Sequence, residues 1–151
     1  MPELVTSARA ILDANLYMTL ATADPDGRPW VSPVYYASED FTHFYWVSKP
    51  EATHSRNLAE RPRASIVVFD SRQPVNTGQA VYIAAVAEQL HGAELERGVE
   101  VFSRSSVADG AGEFRLEDVS GESALRLYGA TASDWWMLDG SDRRVPVDPR
   151  G

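Results

Sequence analysis

A mainly β domain of about six strands, rolled into a closed or split barrel with flanking helices, is the fold class that this sequence predicts. Three observations carry it. Short runs rich in Val, Ile, Tyr, Trp and Thr recur along the chain, bounded by Pro, Gly and Asp. Helical periodicity is confined to a first stretch, a short one between the third and fourth apolar runs, and one before the last pair. No Pro/Gly/Ser-rich linker divides the 151 residues, so residues 1–151 read as one domain. The alternation alone also suits a sandwich, and the number and spacing of strands favour the barrel.

Residues 2–15 predict an amphipathic helix, with Leu4, Ala8, Ile11 and Leu12 on one face and Pro2 in the first turn. Leu16 to Thr22 reads as the first strand, stopped by the turn Asp24-Pro25-Asp26-Gly27. Pro29 to Ala37 is the second strand, on Trp30, Val31, Val34, Tyr35 and Tyr36. A polar turn over Ser38 to Thr42 leads to a third strand, His43 to Ser48. Ala52 to Glu60 reads as a short helix closed by Pro62. Ala64–Asp70 is a compact strand, Ser71–Gly78 a loop, and Gln79–Leu90 a long strand rich in Ala and Val. Residues 92–105 predict a helix with Leu95, Val99 and Phe102 on its stripe. Two closing strands are expected near Ala124–Ala130 and Asp134–Asp139, followed by a polar tail.

Composition narrows the function. Hydrophobic residues make up 44% of the chain, enough for a core, and four Trp with six Tyr argue against disorder. There is no Cys, which excludes disulfides, thiolate nucleophiles and zinc-thiolate sites. The net charge is −8 and the 14 basic residues form no cluster beyond Arg143-Arg144. Nucleic acid and anionic membranes are therefore not expected partners. Without a signal peptide or a long apolar run, a soluble cytoplasmic protein is the expectation. The three histidines His43, His54 and His91 are scattered, so no metal site is expected. No Gly-x-Ser-x-Gly elbow, Gly-x-Gly-x-x-Gly turn or Walker loop is present. The residues offer no acid, base or nucleophile set of their own. Any chemistry would come from a cofactor.

The candidate for holding one is the unit from Trp46 to Asn57. A strand ends at Ser48 and a helix begins a few residues later, and such junctions present backbone N–H groups at a positive dipole end. Ser48 and Thr53 add hydroxyls, Lys49, His54 and Arg56 add cationic groups, and Asn57 is placed to brace the turn. The alternative is that Lys49 and Arg56 are solvated surface charges and the helix start is unliganded.

The run from Leu20 to Pro29, continued by Val31-Ser32-Pro33-Val34-Tyr35-Tyr36, then Phe44 to Lys49, Arg56-Asn57-Leu58, Pro62 and Ala64 to Val67, resembles the pyridoxamine 5′-phosphate oxidase-like, FMN-binding split barrels. The likeness covers roughly residues 5–90 well and the rest loosely. It implies a six-stranded split barrel and a homodimer with two flavin sites, each built from both subunits. It implies that Ser32, Pro33, Val34 and Tyr35 lie along the flavin ring, and that Val47, Ser48, Lys49, Thr53 and His54 hold the FMN phosphate. Gln79 and Ala80 would meet the ring from the partner subunit, and Trp136 would close the site. Ser32 stands where the vitamer oxidase has an arginine, Thr53 and His54 where it has basic residues, and Ala37 where it has a lysine for the substrate phosphate. The resemblance thus implies an FMN-dependent oxidoreductase acting on a small molecule other than pyridoxamine phosphate. A reductase using a deazaflavin coenzyme is its alternative, with Lys49, Arg56, Arg61 and Arg63 lining a groove for the longer anionic tail. A flavin carrier without turnover and a barrel without cofactor complete the readings.

Overall fold

The computed structural model describes residues 1–151. Helix α1 spans Pro2–Ala14 and buries Ala8 and Leu12, the inner part of the predicted stripe. It ends where the Asn15 side-chain amide donates to the Ile11 carbonyl at 2.8 Å. Strand β1, Tyr17–Ala23, alternates strictly, sending Met18, Leu20 and Thr22 inward. The following turn forms as expected. The Asp24 carboxylate accepts the N–H groups of Asp26 and Arg28 at 2.9 and 2.8 Å, and Gly27 takes the positive φ the turn requires, +84°.

The second expected strand does not run to Ala37. Strand β2 is Pro29–Tyr35, and a separate short strand β3, Ala37–Glu39, pairs with β4, His43–Ser48. The chain leaves one end of the sheet at Tyr35 and enters the other end at Ala37. Only Tyr36 lies between, its N–H bonded to the Leu16 carbonyl and its hydroxyl to the Leu12 carbonyl. The polar turn is correspondingly shorter, with Asp40 and Phe41 at φ 55° and 54°.

Helix α2 is Thr53–Glu60, followed by β5, Arg63–Phe69, and β6, Ala80–Gln89. Helix α3, Gly92–Ala108, buries Gly98, Val99, Val101, Phe102 and Ser106. The two expected closing strands are one, β7, Arg126–Leu138. A register shift opposite Ala84/Ala85 absorbs Ser133, so the polar gap that reads as a break is a bulge. The tail carries an unexpected strand β8, Arg144–Pro146, paired with β7.

There are thus eight antiparallel strands rather than six, seven of them in the order β2-β1-β5-β6-β7-β4-β3. Because β2 and β3 are the two ends of this order yet adjacent in the chain, the sheet must curl until its edges meet. That is a half-barrel, consistent with a split barrel. Its interior holds 22 buried residues, among them Met18, Leu20, Phe44, Trp46, Ile66, Val81, Ile83 and Met137. A second cluster of eight, including Tyr45, Leu90, Val99, Phe102 and Leu127, lies where α3 covers the outer side of β4 and β7. Gly98 makes that approach possible, since a Cβ there would stand 2.8 Å from Leu127, 3.0 Å from Leu90 and 3.1 Å from Tyr45. No helix is long and apolar enough to cross a membrane.

The outer side of the sheet is different. Directly paired residues share a face, and Pro33, Thr19, Val67, Tyr82, Trp136 and Pro146 form one row across six strands. Beside this row Val31 and Phe69 are 59% and 48% exposed. The Arg144 guanidinium sits 3.8 Å above the Tyr82 ring.

Candidate functional site

Strand β4 ends at Ser48, whose side chain lies on the inner face with those of Phe44 and Trp46. The Ser48 hydroxyl is 2.9 Å from His54 Nε2 and accepts the Ser55 hydroxyl at 3.3 Å. Burial lowers the pKa of His54, because an imidazolium would lose solvation there. The ring is therefore neutral at pH 7 and serves as a hydrogen-bonding group rather than a charge. Ser55, Asn57 and Leu58 turn inward from α2. The Asn57 amide donates to the buried Thr22 hydroxyl at 3.0 Å, which ties α2 to β1.

This anchoring leaves the start of α2 open. Ala52 precedes the helix without a side-chain cap, and the first internal bond is from the Arg56 N–H to the Ala52 carbonyl. The N–H groups of Thr53, His54 and Ser55 have no acceptor in the protein. Lys49 and Thr53 are exposed beside them. The indole N–H of Trp46, on the same face of β4 as Ser48, is buried without a partner, a state that costs roughly 1–3 kcal/mol. The junction offers several free donors, with the exposed Glu51 carboxylate as the one anionic group in the same segment. Its chemistry suits an anion with several oxygens, and the donor set fits a phosphate ester such as that of FMN.

The other expected residues fall into two groups. Ser32 is half-buried on the inner face, directly opposite Leu20, and Val34 is a core residue opposite Met18. Pro33 faces outward. Because β2 ends the sheet, one side of its backbone has no strand partner. Tyr35 is half-buried; its hydroxyl donates to Asp109 at 2.5 Å, and its ring meets Tyr17 and Phe102 edge-on. Burial and the Asp109 carboxylate push the Tyr35 pKa far upward, so the phenol stays protonated. Val47 packs beside the α3 cluster.

Gln79 and Ala80 stand elsewhere, at the outer face. The Gln79 amide donates to the Leu138 carbonyl at 2.8 Å and accepts the Leu138 N–H at 3.0 Å, extending the β6–β7 ladder by one side chain. Ala80 pairs with Phe69. Trp136 lies in the outer apolar row, while Trp135 is buried and donates its indole N–H to the Phe41 carbonyl at 2.9 Å. The expected basic groove loses one member, because the Arg61 guanidinium donates to the Pro25 carbonyl. Sequence reasoning missed Ser55 and the Trp46 indole. A polar residue on the inward stripe of α2 was the available signal for Ser55, whereas nothing local marks the orphaned indole.

Comparison with known proteins places this fold. A search of curated proteins finds no match. Among solved structures, a heme-binding protein from Mycobacterium smegmatis superposes with a TM-score of 0.74 at 24% identity, over 96% of this chain and 57% of that one. This chain thus spans little more than half of that protein. HutZ, the heme storage protein from Vibrio cholerae, gives 0.64 at 20% identity, over 87% and 89% of the two chains. An F420 reductase gives 0.61 at 17% identity, over 85% and 94%. These likenesses establish the shared fold. The sequence itself matches the family described as pyridoxamine 5′-phosphate oxidase over residues 4–138, and the chain belongs to that family.

Proposed function

We propose that this chain is an FMN-dependent oxidoreductase of a small organic substrate, working as a homodimer. The observation that carries the reading is the donor-rich β4–α2 junction, where three free N–H groups open the helix and Ser48, Lys49 and Thr53 lie within a few residues of them. These groups would hold the FMN phosphate, with neutral His54 as a further hydrogen-bonding partner through the Ser48 pair. Ser32 and the unpaired side of β2 would border the ring. When bound, the flavin supplies hydride and electron transfer; the protein contributes position, hydrogen bonds and shelter from water.

The dimer is supported by the outer apolar row, since a contiguous exposed apolar face on a soluble domain marks an interaction surface. Gln79 and Ala80 border that face rather than the junction. Pairing two copies through it is the arrangement by which they would reach a partner's flavin. Ala37 in place of a phosphate-binding lysine argues for a substrate without a phosphate at that point.

A second reading, a deazaflavin-dependent reductase, is favoured by the neutral side chains at Ser32, Thr53 and His54. One set of titrations separates them. Purified protein is titrated with FMN, with the deazaflavin coenzyme and with hemin, following absorbance and Trp fluorescence. Saturable FMN binding, weakened about tenfold in Lys49→Ala, is the expected outcome. Binding of the deazaflavin alone moves the protein to the reductase branch. Binding of hemin alone, or of none of the three, overturns the flavin assignment.

A further inference from the structure

At the opposite end of β4 from Ser48, a cleft of about 510 Å³ opens between the first turns of α3 and the outer side of the sheet. Five residues of strand rise, about 16 Å, separate the two ends, so this cleft is not the β4–α2 junction. Its volume is that of a small-molecule site.

The walls carry a charge pattern of their own. Glu39 accepts two bonds from the Arg97 guanidinium, at 2.8 and 2.7 Å, and Arg97 also lies 3.6 Å from Glu100. The one arginine in the lining is therefore neutralised. Glu88 on β6 and Glu94 in the first turn of α3 line the same cleft with no cationic partner. Amides at the start of α3 favour negative charge, and Glu94 already occupies that field. What is left over is a net negative lining.

The floor is apolar and aromatic. Val86 and Leu90 form it beside Gly129, with the rings of His43 and Tyr45 stacked at 6.5 Å and 15°. Tyr45 is only 7% exposed, yet its hydroxyl makes no hydrogen bond in the protein. Gly98 lets α3 close against this ring, since a Cβ there would stand 3.1 Å from it. The Tyr45 hydroxyl reaches the solvent of the cleft, so it is free to accept a hydrogen bond from a ligand lying beside the two unpaired carboxylates.

We propose that this cleft binds a small organic ammonium ion with an aromatic or apolar body. The charge lies between Glu88 and Glu94, one N–H donates to the Tyr45 hydroxyl, and the body rests on Val86 and Leu90. The site stands independently of any flavin at the junction.

The test is calorimetric titration of the full chain with phenethylammonium chloride, with sodium phenylacetate as the anion of similar shape. The ammonium ion binds saturably and the carboxylate at least about tenfold more weakly, since the same two carboxylates that attract one repel the other. The surface variant Glu88→Gln/Glu94→Gln weakens the ammonium ion about tenfold at an unchanged thermal midpoint, and Tyr45→Phe weakens it several-fold. Added FMN does not displace it. Equal binding of the two ions, no saturable binding of the cation, an unchanged double variant, or displacement by FMN would each overturn the assignment. The comparison of the two ions uses only the unaltered protein and is independent of whether a variant folds.

Discussion

The bond between Asn57 and Thr22 holds α2, and with it the open N–H groups, against the barrel. Asn57 is 6% exposed and Thr22 5%, and the 3.0 Å bond is the only one either side chain makes within the protein. Replacing one partner by an apolar residue of similar shape leaves the other polar, buried and unpaired. Thr22→Val and Asn57→Leu should each destabilise the fold by about 1–3 kcal/mol. The double variant removes both groups at once, and its cost should fall short of the sum by about 1–2 kcal/mol, the coupling of a buried pair. Urea unfolding of the four proteins measures this cycle, with equal slopes against denaturant as the check that the compact states are comparable. The same four proteins titrated with FMN report on the site. Either single change should weaken binding through a displaced α2. Additive losses within about 0.3 kcal/mol would show that the pair is not coupled, and the bracing role would fall.

Three more expectations follow from the geometry. Burial holds the His54 pKa below its ordinary value, so above about pH 6.5 the ring is neutral in both folded and unfolded chains. As pH falls through that value the unfolded chain takes up a proton first; stability declines until the folded pKa is passed, at well under ~1.4 kcal/mol per pH unit because the ring is only half-buried. Urea midpoints of wild type should drop more steeply from pH 8 to 5.5 than those of His54→Gln, and parallel curves would refute this. Gly98→Ala gains about 1 kcal/mol of helix propensity but drives a methyl against Leu127, Leu90 and Tyr45 on three sides. Overpacking costs about 1–3 kcal/mol, so a lower thermal midpoint is expected and a raised one counts against the tight α3 contact. Light scattering at micromolar concentration should show a dimer that Phe69→Glu converts to monomer; a monomeric wild type would remove the composite site.

What the sequence made legible was local. The Asp24 to Gly27 turn is written in adjacent residues, and its hydrogen bonds close within five positions. Ser48 and His54 are legible as members of one strand-to-helix junction, whereas their pairing and the neutral state of the ring depend on burial that the spacing does not show. The errors all arise where a distant partner decides the outcome. Ala132 and Ser133 look like a break in a strand, and only the register against β6 turns them into a bulge. The tail around Val145 has no strand signal of its own and becomes β8 because β7 offers an edge. Thr22 reads as an ordinary strand residue until Asn57, 35 positions later, claims it. The outer row from Pro33 to Pro146 combines six strands and has no trace in any one of them.

The single residue between β2 and β3 has a kinetic consequence. The hairpins β1–β2 and β3–β4 are close in sequence and can each form as soon as they leave the ribosome, yet they belong at opposite ends of the sheet. Every strand that separates them comes later, and β7, which bridges β6 to β4, comes near the end of the chain. Met18, Leu20, Phe44 and Trp46 therefore have no completed interior until residue 138 or so has been made. Such non-local closure is slow and leaves apolar surface open meanwhile. A chain halted before β7 would hold the sheet β2-β1-β5-β6 with the β3–β4 hairpin undocked and the interior unfilled, so synthesis of the whole strand Arg126–Leu138 is the step that commits this domain to its native state.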